Sequence, residues 1–211
     1  MVGLIPHPAK TTVLALGLDK AGNCIFYDSS GCLKVYQKLS GDIISLEEGE
    51  HIEERRMLFM GPTKDRFLFR KSNHCLQEYT IMHNTPKLSK EYIDEKQVIE
   101  DFCYYRSKID EGKLSSAASK VSEYHVLIIT NTGILRRIDT ATGKSRKFEI
   151  ESDGETFKIC FCEFLSYILI TFTRNQSDNE EQVAYVAAID DKDIKFVNNV
   201  YFQTGVGSVV C

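Results

Sequence analysis

The chain is punctuated by short runs of alternating apolar and polar residues, each closed by a turn. Residues 11–18 and 24–27 alternate as strands do, and Asp-Lys-Ala-Gly-Asn at 19–23 makes a hairpin turn between them. Asp28-Ser29-Ser30-Gly31 is the next turn. In the run Cys32 to Lys38, Leu33 and Val35 fall on one face and Cys32, Lys34 and Tyr36 on the other. Ser40-Gly41-Asp42 then turns the chain into Ile43 to Leu46. Tight turns between short strands predict an antiparallel meander.

The same pattern returns further on. At 131–144 a strand-like run leads into Asn131-Thr132-Gly133 and ends on Thr142-Gly143-Lys144. In both copies two glycines stand ten positions apart, 31 and 41 and then 133 and 143, and a Leu follows the first Gly by two positions. A third copy lacks the glycines. At an offset of 43, Ser29, Cys32, Leu33 and Tyr36 correspond to Ser72, Cys75, Leu76 and Tyr79. The remaining pattern divides the chain into strand-rich units at about 9–50, 55–95, 97–150 and 155–203, with 204–211 as the start of a further strand. Within them, 106–122 is polar and reads as an inserted loop, 174–181 as a polar loop, and 190–193 as a turn.

Repeated units of this length, with four short strands each, are the signature of a β-propeller. The chain resembles the WD40-like propeller superfamily in its succession of strand, Asp-x-x-Gly turn, strand, Ser/Thr-Gly-Asp/Lys turn and strand. It contains no Trp and no Gly-His pair, so the resemblance is to a degenerate member. That resemblance implies an all-β fold of about four blades of four antiparallel strands, forming part of a larger ring. The ring would be closed by further blades of the same chain or by another chain. A β-sandwich or paired small barrels are the alternative architecture.

Composition narrows the function more than it defines it. A net charge of −4 offers no concentrated basic surface, which argues against nucleic acid. No run of residues approaches the length needed to span a bilayer, so membrane insertion is not expected. The seven cysteines (24, 32, 75, 103, 160, 162 and 211) are irregularly spaced with no Cys-x-x-Cys, which predicts thiols in a reducing compartment, the cytoplasm or else the nucleus. Cys160 and Cys162 would share one strand face as core thiols. The sequon at Asn175 reads as a polar loop tip.

Candidate chemistry is sparse. The histidines at 7, 51, 74, 83 and 125 have no metal spacing, the aspartates at 190, 191 and 193 lack the pattern of a calcium loop, and 205–207 is too short for a phosphate cradle. No cofactor, catalytic residue or metal site is therefore expected. The one local basic cluster is Arg136, Arg137, Lys144, Arg146 and Lys147, which reads either as a solvated face or as a docking patch for an acidic partner. The expected function is a non-enzymatic protein-interaction module, the propeller part of a larger scaffold, tethering, coat or kinetochore-type assembly. Its partners would be other protein subunits of that assembly. The alternatives are an enzyme with a loop-assembled site drawing on His51, His74 and His125, and a nucleic-acid-associated propeller using Arg136 to Lys147.

Overall fold

A computed structural model describes residues 11–50, 55–105, 124–150, 155–162, 167–176, 179–189 and 194–203. Every regular element among them is a strand. The first sheet runs β1 (Val13–Leu18), β2 (Cys24–Asp28), β3 (Cys32–Tyr36) and β4 (Ile43–Glu48). The second holds β5 (Leu58–Met60), β6 (Arg66–Arg70), β7 (Cys75–Met82) and β8 (Thr85–Ile93). The third holds β9 (Ile99–Tyr105), β10 (His125–Thr130), β11 (Ile134–Asp139) and β12 (Ser145–Glu149). The fourth holds β13 (Glu155–Cys162), β14 (Tyr167–Gln176), β15 (Asn179–Ile189) and β16 (Ile194–Gln203). In each four-stranded sheet the strands lie in chain order and pair antiparallel, so each is the meander expected from the turn pattern. The chain divides into two compact units at Lys96/Gln97, the first two sheets in one and the last two in the other.

The repeat seen in the sequence is a repeat of backbone hydrogen bonds. Gly31 N–H donates to Asp28 O at 3.0 Å, and Gly133 N–H donates to Thr130 O at 3.0 Å. Gly41 N–H donates to Gln37 O, and Gly143 N–H to Asp139 O, both at 2.8 Å. All four glycines have positive φ, from 71° to 81°, the region that residues with a Cβ enter at a cost. The two copies differ by a bulge. In the first sheet the register slips between Leu33 and Lys34, whereas β11 and β12 pair without a slip.

The second copy reaches the same shape by other residues. Its β7–β8 hairpin turns on His83 and Asn84, with φ of 51° and 63°, between the paired residues Met82 and Thr85. Two consecutive positive φ values are what a two-residue hairpin of the favoured hand requires, and Asn supplies one readily. Pro86 is tolerated because β8 is an edge strand.

One stretch differs from the sequence reading. Residues 174–176 and 179–181 continue β14 and β15, pairing as far as Gln176 with Asn179, rather than forming a polar loop. Cross-strand pairing carried outward from the apolar part of the hairpin overrides their polar composition. The inserted segment 106–122, the turn at 190–193 and the segment 204–211 lie outside the described residues.

Within the first unit, one face of the first sheet packs on the second sheet. Ile25, Tyr27, Leu33 and Val35 meet Met57, Phe67, Phe69 and Tyr79 in a single buried cluster. The sheets approach closely at two glycines. A Cβ on Gly17 would lie 2.4 Å from Met60 Cγ, and one on Gly49 would lie 2.6 Å from Phe69 Cζ. The Tyr27 hydroxyl donates to Gly49 O at 2.9 Å, and Glu50 N–H donates to Lys71 O at 2.8 Å. Within the second unit the third sheet packs on the fourth. Tyr105 meets Phe161 edge-on at 5.0 Å, and the Asp101 carboxylate accepts the Ile159 N–H at 2.9 Å.

Candidate functional site

The basic residues predicted to form a docking patch all lie on β11, β12 and the turn between them. The register separates them. Arg136 stands opposite Lys147, and Arg137 opposite Arg146. Successive residues of a strand point to opposite faces, so these are two cation pairs on the two sides of the sheet, not one cluster. Arg137 shares its face with Leu127, Leu135 and Asp101, the side that packs on the fourth sheet, and is 7% exposed. Arg136 is half-buried, while Lys144, Arg146 and Lys147 are exposed.

Because β12 pairs with β11 alone among the described strands, these three exposed cations line the outer edge of the third sheet. The turn that presents them is built by Asp139. Its carboxylate accepts the N–H groups of Ala141 and Thr142, both at 2.8 Å, an Asx-type turn that also places Gly143 and Lys144. Burial pushes the Asp139 carboxyl up, but the hydrogen bonds from Thr142 and Ala141, with nearby His125, outweigh it and hold it below the usual carboxylate range. His125 Nε2 lies 4.0 Å from Asp139 Oδ2, and the His125 ring sits edge-on to Tyr105 at 5.9 Å. This arrangement anchors the end of the β10–β11 hairpin.

The other histidines considered for catalysis are not gathered with it. His74 is exposed at the turn before β7, its Nδ1 3.0 Å from Asp94 O, where it helps close the hairpin end. His51 lies outside the described residues. Among the described residues no group of three or more His, Cys, Asp or Glu is placed to hold a metal ion. Cys24, Cys32, Cys75, Cys103 and Cys160 are thiols. Cys160 is half-buried rather than a full core residue, and the Cys162 side chain lies outside the described set.

Several carboxylates that could be mistaken for a site are structural. Asp28 is fully buried, accepts Ser30 N–H at 3.0 Å and pairs with Lys34 at 2.5 Å. In the second sheet Tyr92 donates to Glu78 at 2.7 Å, and Gln77 donates to Glu91 at 2.7 Å and accepts from the Tyr79 hydroxyl at 3.1 Å. These bonds satisfy polar groups carried into packed sheets. Sequence reasoning did not mark one further feature. Leu16 and Leu18 of β1, in a run read only as a strand, are 61% and 52% exposed.

The fold is that of a WD40-type β-propeller, built here from four sheets of four antiparallel strands. Two solved structures illustrate the likeness. The β-propeller domain of Cps50 (Swd1) from Myceliophteria thermophila aligns over 77% of this chain and 48% of its own, at 12% identity and a TM-score of 0.57. The WD40 domain of SCAP from fission yeast aligns over 92% of this chain and 43% of its own, at 9% identity and a TM-score of 0.53. The chain thus matches a little under half the length of each propeller. No protein-family model matches it, and no curated protein matches it in sequence.

Proposed function

We propose that the chain is a non-enzymatic protein-interaction module, a propeller part of a larger scaffold, tethering, coat or kinetochore-type assembly in the cytoplasm or nucleus. The observation that carries this reading is the outer edge of the third sheet. There β12 and its preceding turn expose Lys144, Arg146 and Lys147 in a chain whose net charge is negative. An acidic segment of a partner protein is the chemistry that fits this edge. Exposed cations at a rim steer such a segment and fix its register more than they add affinity. Arg136, opposite Lys147, extends the edge inward, whereas Arg137 is committed to the packed side.

The test is a titration of a fluorescein-labelled peptide rich in Glu and Asp, followed by anisotropy. The wild-type chain binds, and binding weakens steeply with salt. The triple reversal Lys144→Glu/Arg146→Glu/Lys147→Glu weakens it by about threefold to a hundredfold, from roughly 0.2–1 kcal/mol for each of three exposed charge pairs. Equal binding by wild type and variant at low salt would refute this reading.

A further inference from the structure

The outer edge of the first sheet is built differently from the basic edge of the third. β4 pairs with β3 alone among the described strands. Gln37 N–H donates to Asp42 O at 2.8 Å, and Tyr36, Val35 and Lys34 then stand opposite Ile43, Ile44 and Ser45. Hydrogen-bonded and non-hydrogen-bonded pairs alternate along an antiparallel ladder. Ile44 therefore turns its N–H and C=O toward β3, while Ile43 and Ser45 turn theirs outward. The register slip between Leu33 and Lys34 leaves Leu46 as the extra residue, so the even outer ladder runs from Asp42 to Ser45.

The side chains mark the same stretch. Ile43 and Ile44 point to opposite faces of the sheet and are 37% and 40% exposed. A strand laid alongside β4 covers both, one on each face, through cross-strand pairs. Other edges carry residues that oppose such an addition: Pro86, Lys87 and Lys90 on β8, and Arg146 and Lys147 on β12. β4 holds no proline and no cation. Its charges are acidic and select what can approach. Asp42, Glu48 and Glu50 are exposed, while Glu47 pairs with Lys71 at 2.9 Å. Two β4 strands from two copies would bring these carboxylates together, which repels; a basic strand is complementary.

We propose that β4 is a strand-addition site for an extended segment of a partner protein, one in which β-branched residues alternate with lysine or arginine. The segment hydrogen-bonds to the outward backbone groups of Ile43 and Ser45, and its cations lie beside Asp42 and Glu48. Main-chain bonds supply affinity in this mode of recognition, and the side chains supply specificity. The site lies wholly within the first sheet and shares no residue with the basic edge, whose partner has the opposite charge.

Anisotropy of a fluorescein-labelled Lys-Val-Lys-Val-Lys-Val peptide tests this, at about 0.15 M salt, where distant charges are screened. The wild-type chain binds it. The same peptide methylated at every backbone nitrogen keeps its charge and loses its donors. It binds about fivefold to a hundredfold more weakly, from two lost hydrogen bonds. Ser45→Pro removes one outward N–H at an edge position and weakens the unmethylated peptide about twofold to tenfold, with an unchanged urea midpoint showing that the fold is kept. Asp42→Lys/Glu48→Lys, at two exposed side chains, weakens it about twofold to thirtyfold. Equal binding of the two peptides by the wild-type chain would overturn the inference without recourse to any variant. So would a wild-type chain that binds neither peptide, or a charge-reversed chain that binds as well as wild type. Ser45→Pro leaves binding of the acidic peptide unchanged, so the failure of one reading is seen apart from the failure of the other.

Discussion

Asp101 and Ile159 join two sheets across 58 residues of chain: the buried Asp101 carboxylate accepts the Ile159 backbone N–H at 2.9 Å. Ile159 lies on β13, the edge strand of its sheet, where an outward N–H has no strand to receive it. A carboxylate from the neighbouring sheet takes that role, because a buried backbone donor without an acceptor is costly. Asp101→Leu is expected to lower stability by about 1–3 kcal/mol in urea unfolding, with Asp101→Asn, which keeps an acceptor, closer to wild type. Equal losses in the two variants would show that the bond does not hold the sheets together.

Two glycines distinguish close approach from backbone geometry. Gly49→Ala places a methyl 2.6 Å from Phe69 Cζ, at a spot also bounded by Lys71 O, so the sheets must move apart. A cost of about 1–3 kcal/mol follows from overpacking of this kind. Gly41 has φ of 79° and nothing within 4 Å of a Cβ, so Gly41→Ala meets only the backbone penalty, about 1 kcal/mol. Denaturant midpoints of the two variants check the order.

Asp28 sets an acid-side limit on the first unit. Burial pushes its carboxyl up, but hydrogen bonds from Lys34 and Ser30 outweigh this and hold it below the ordinary range. A folded-state value below the unfolded one gives stability that is complete above the unfolded value, near 4, and lost as pH falls through the folded value. Urea midpoints are expected to fall on acidification in that window. Asp28→Asn lowers stability at neutral pH, and its deficit shrinks in acid; a deficit independent of pH would rule out the ionised pair as the cause.

Burial pushes the Cys24 thiol up to about 11, and the side chain is enclosed. A maleimide is expected to label half-exposed Cys32 in the native chain and Cys24 only on unfolding. Mass spectrometry of the labelled peptides reads this directly.

Much of the architecture was legible in the residues. Gly31, Gly41, Gly133 and Gly143 announced their turns because positive φ leaves few other choices. The second copy was fainter, since His83 and Asn84 make an equivalent hairpin without glycine. The strand ends at 174–176 and 179–181 were hidden because pairing, not local composition, keeps them extended. The basic cluster looked continuous in sequence, but a strand alternates faces, so Arg136 and Arg137 part company. The exposure of Leu16 and Leu18 was not legible, because an apolar strand run does not show in sequence which of its side chains the fold leaves open to solvent.

The most direct measurement of the interaction reading is hydrogen exchange of the chain with and without the acidic peptide. The account expects peptide-dependent protection concentrated on β12 and the turn from Thr140 to Lys144, with the Leu16 region unchanged. Protection elsewhere, with the exchange of Ser145–Glu149 unaltered, would contradict it.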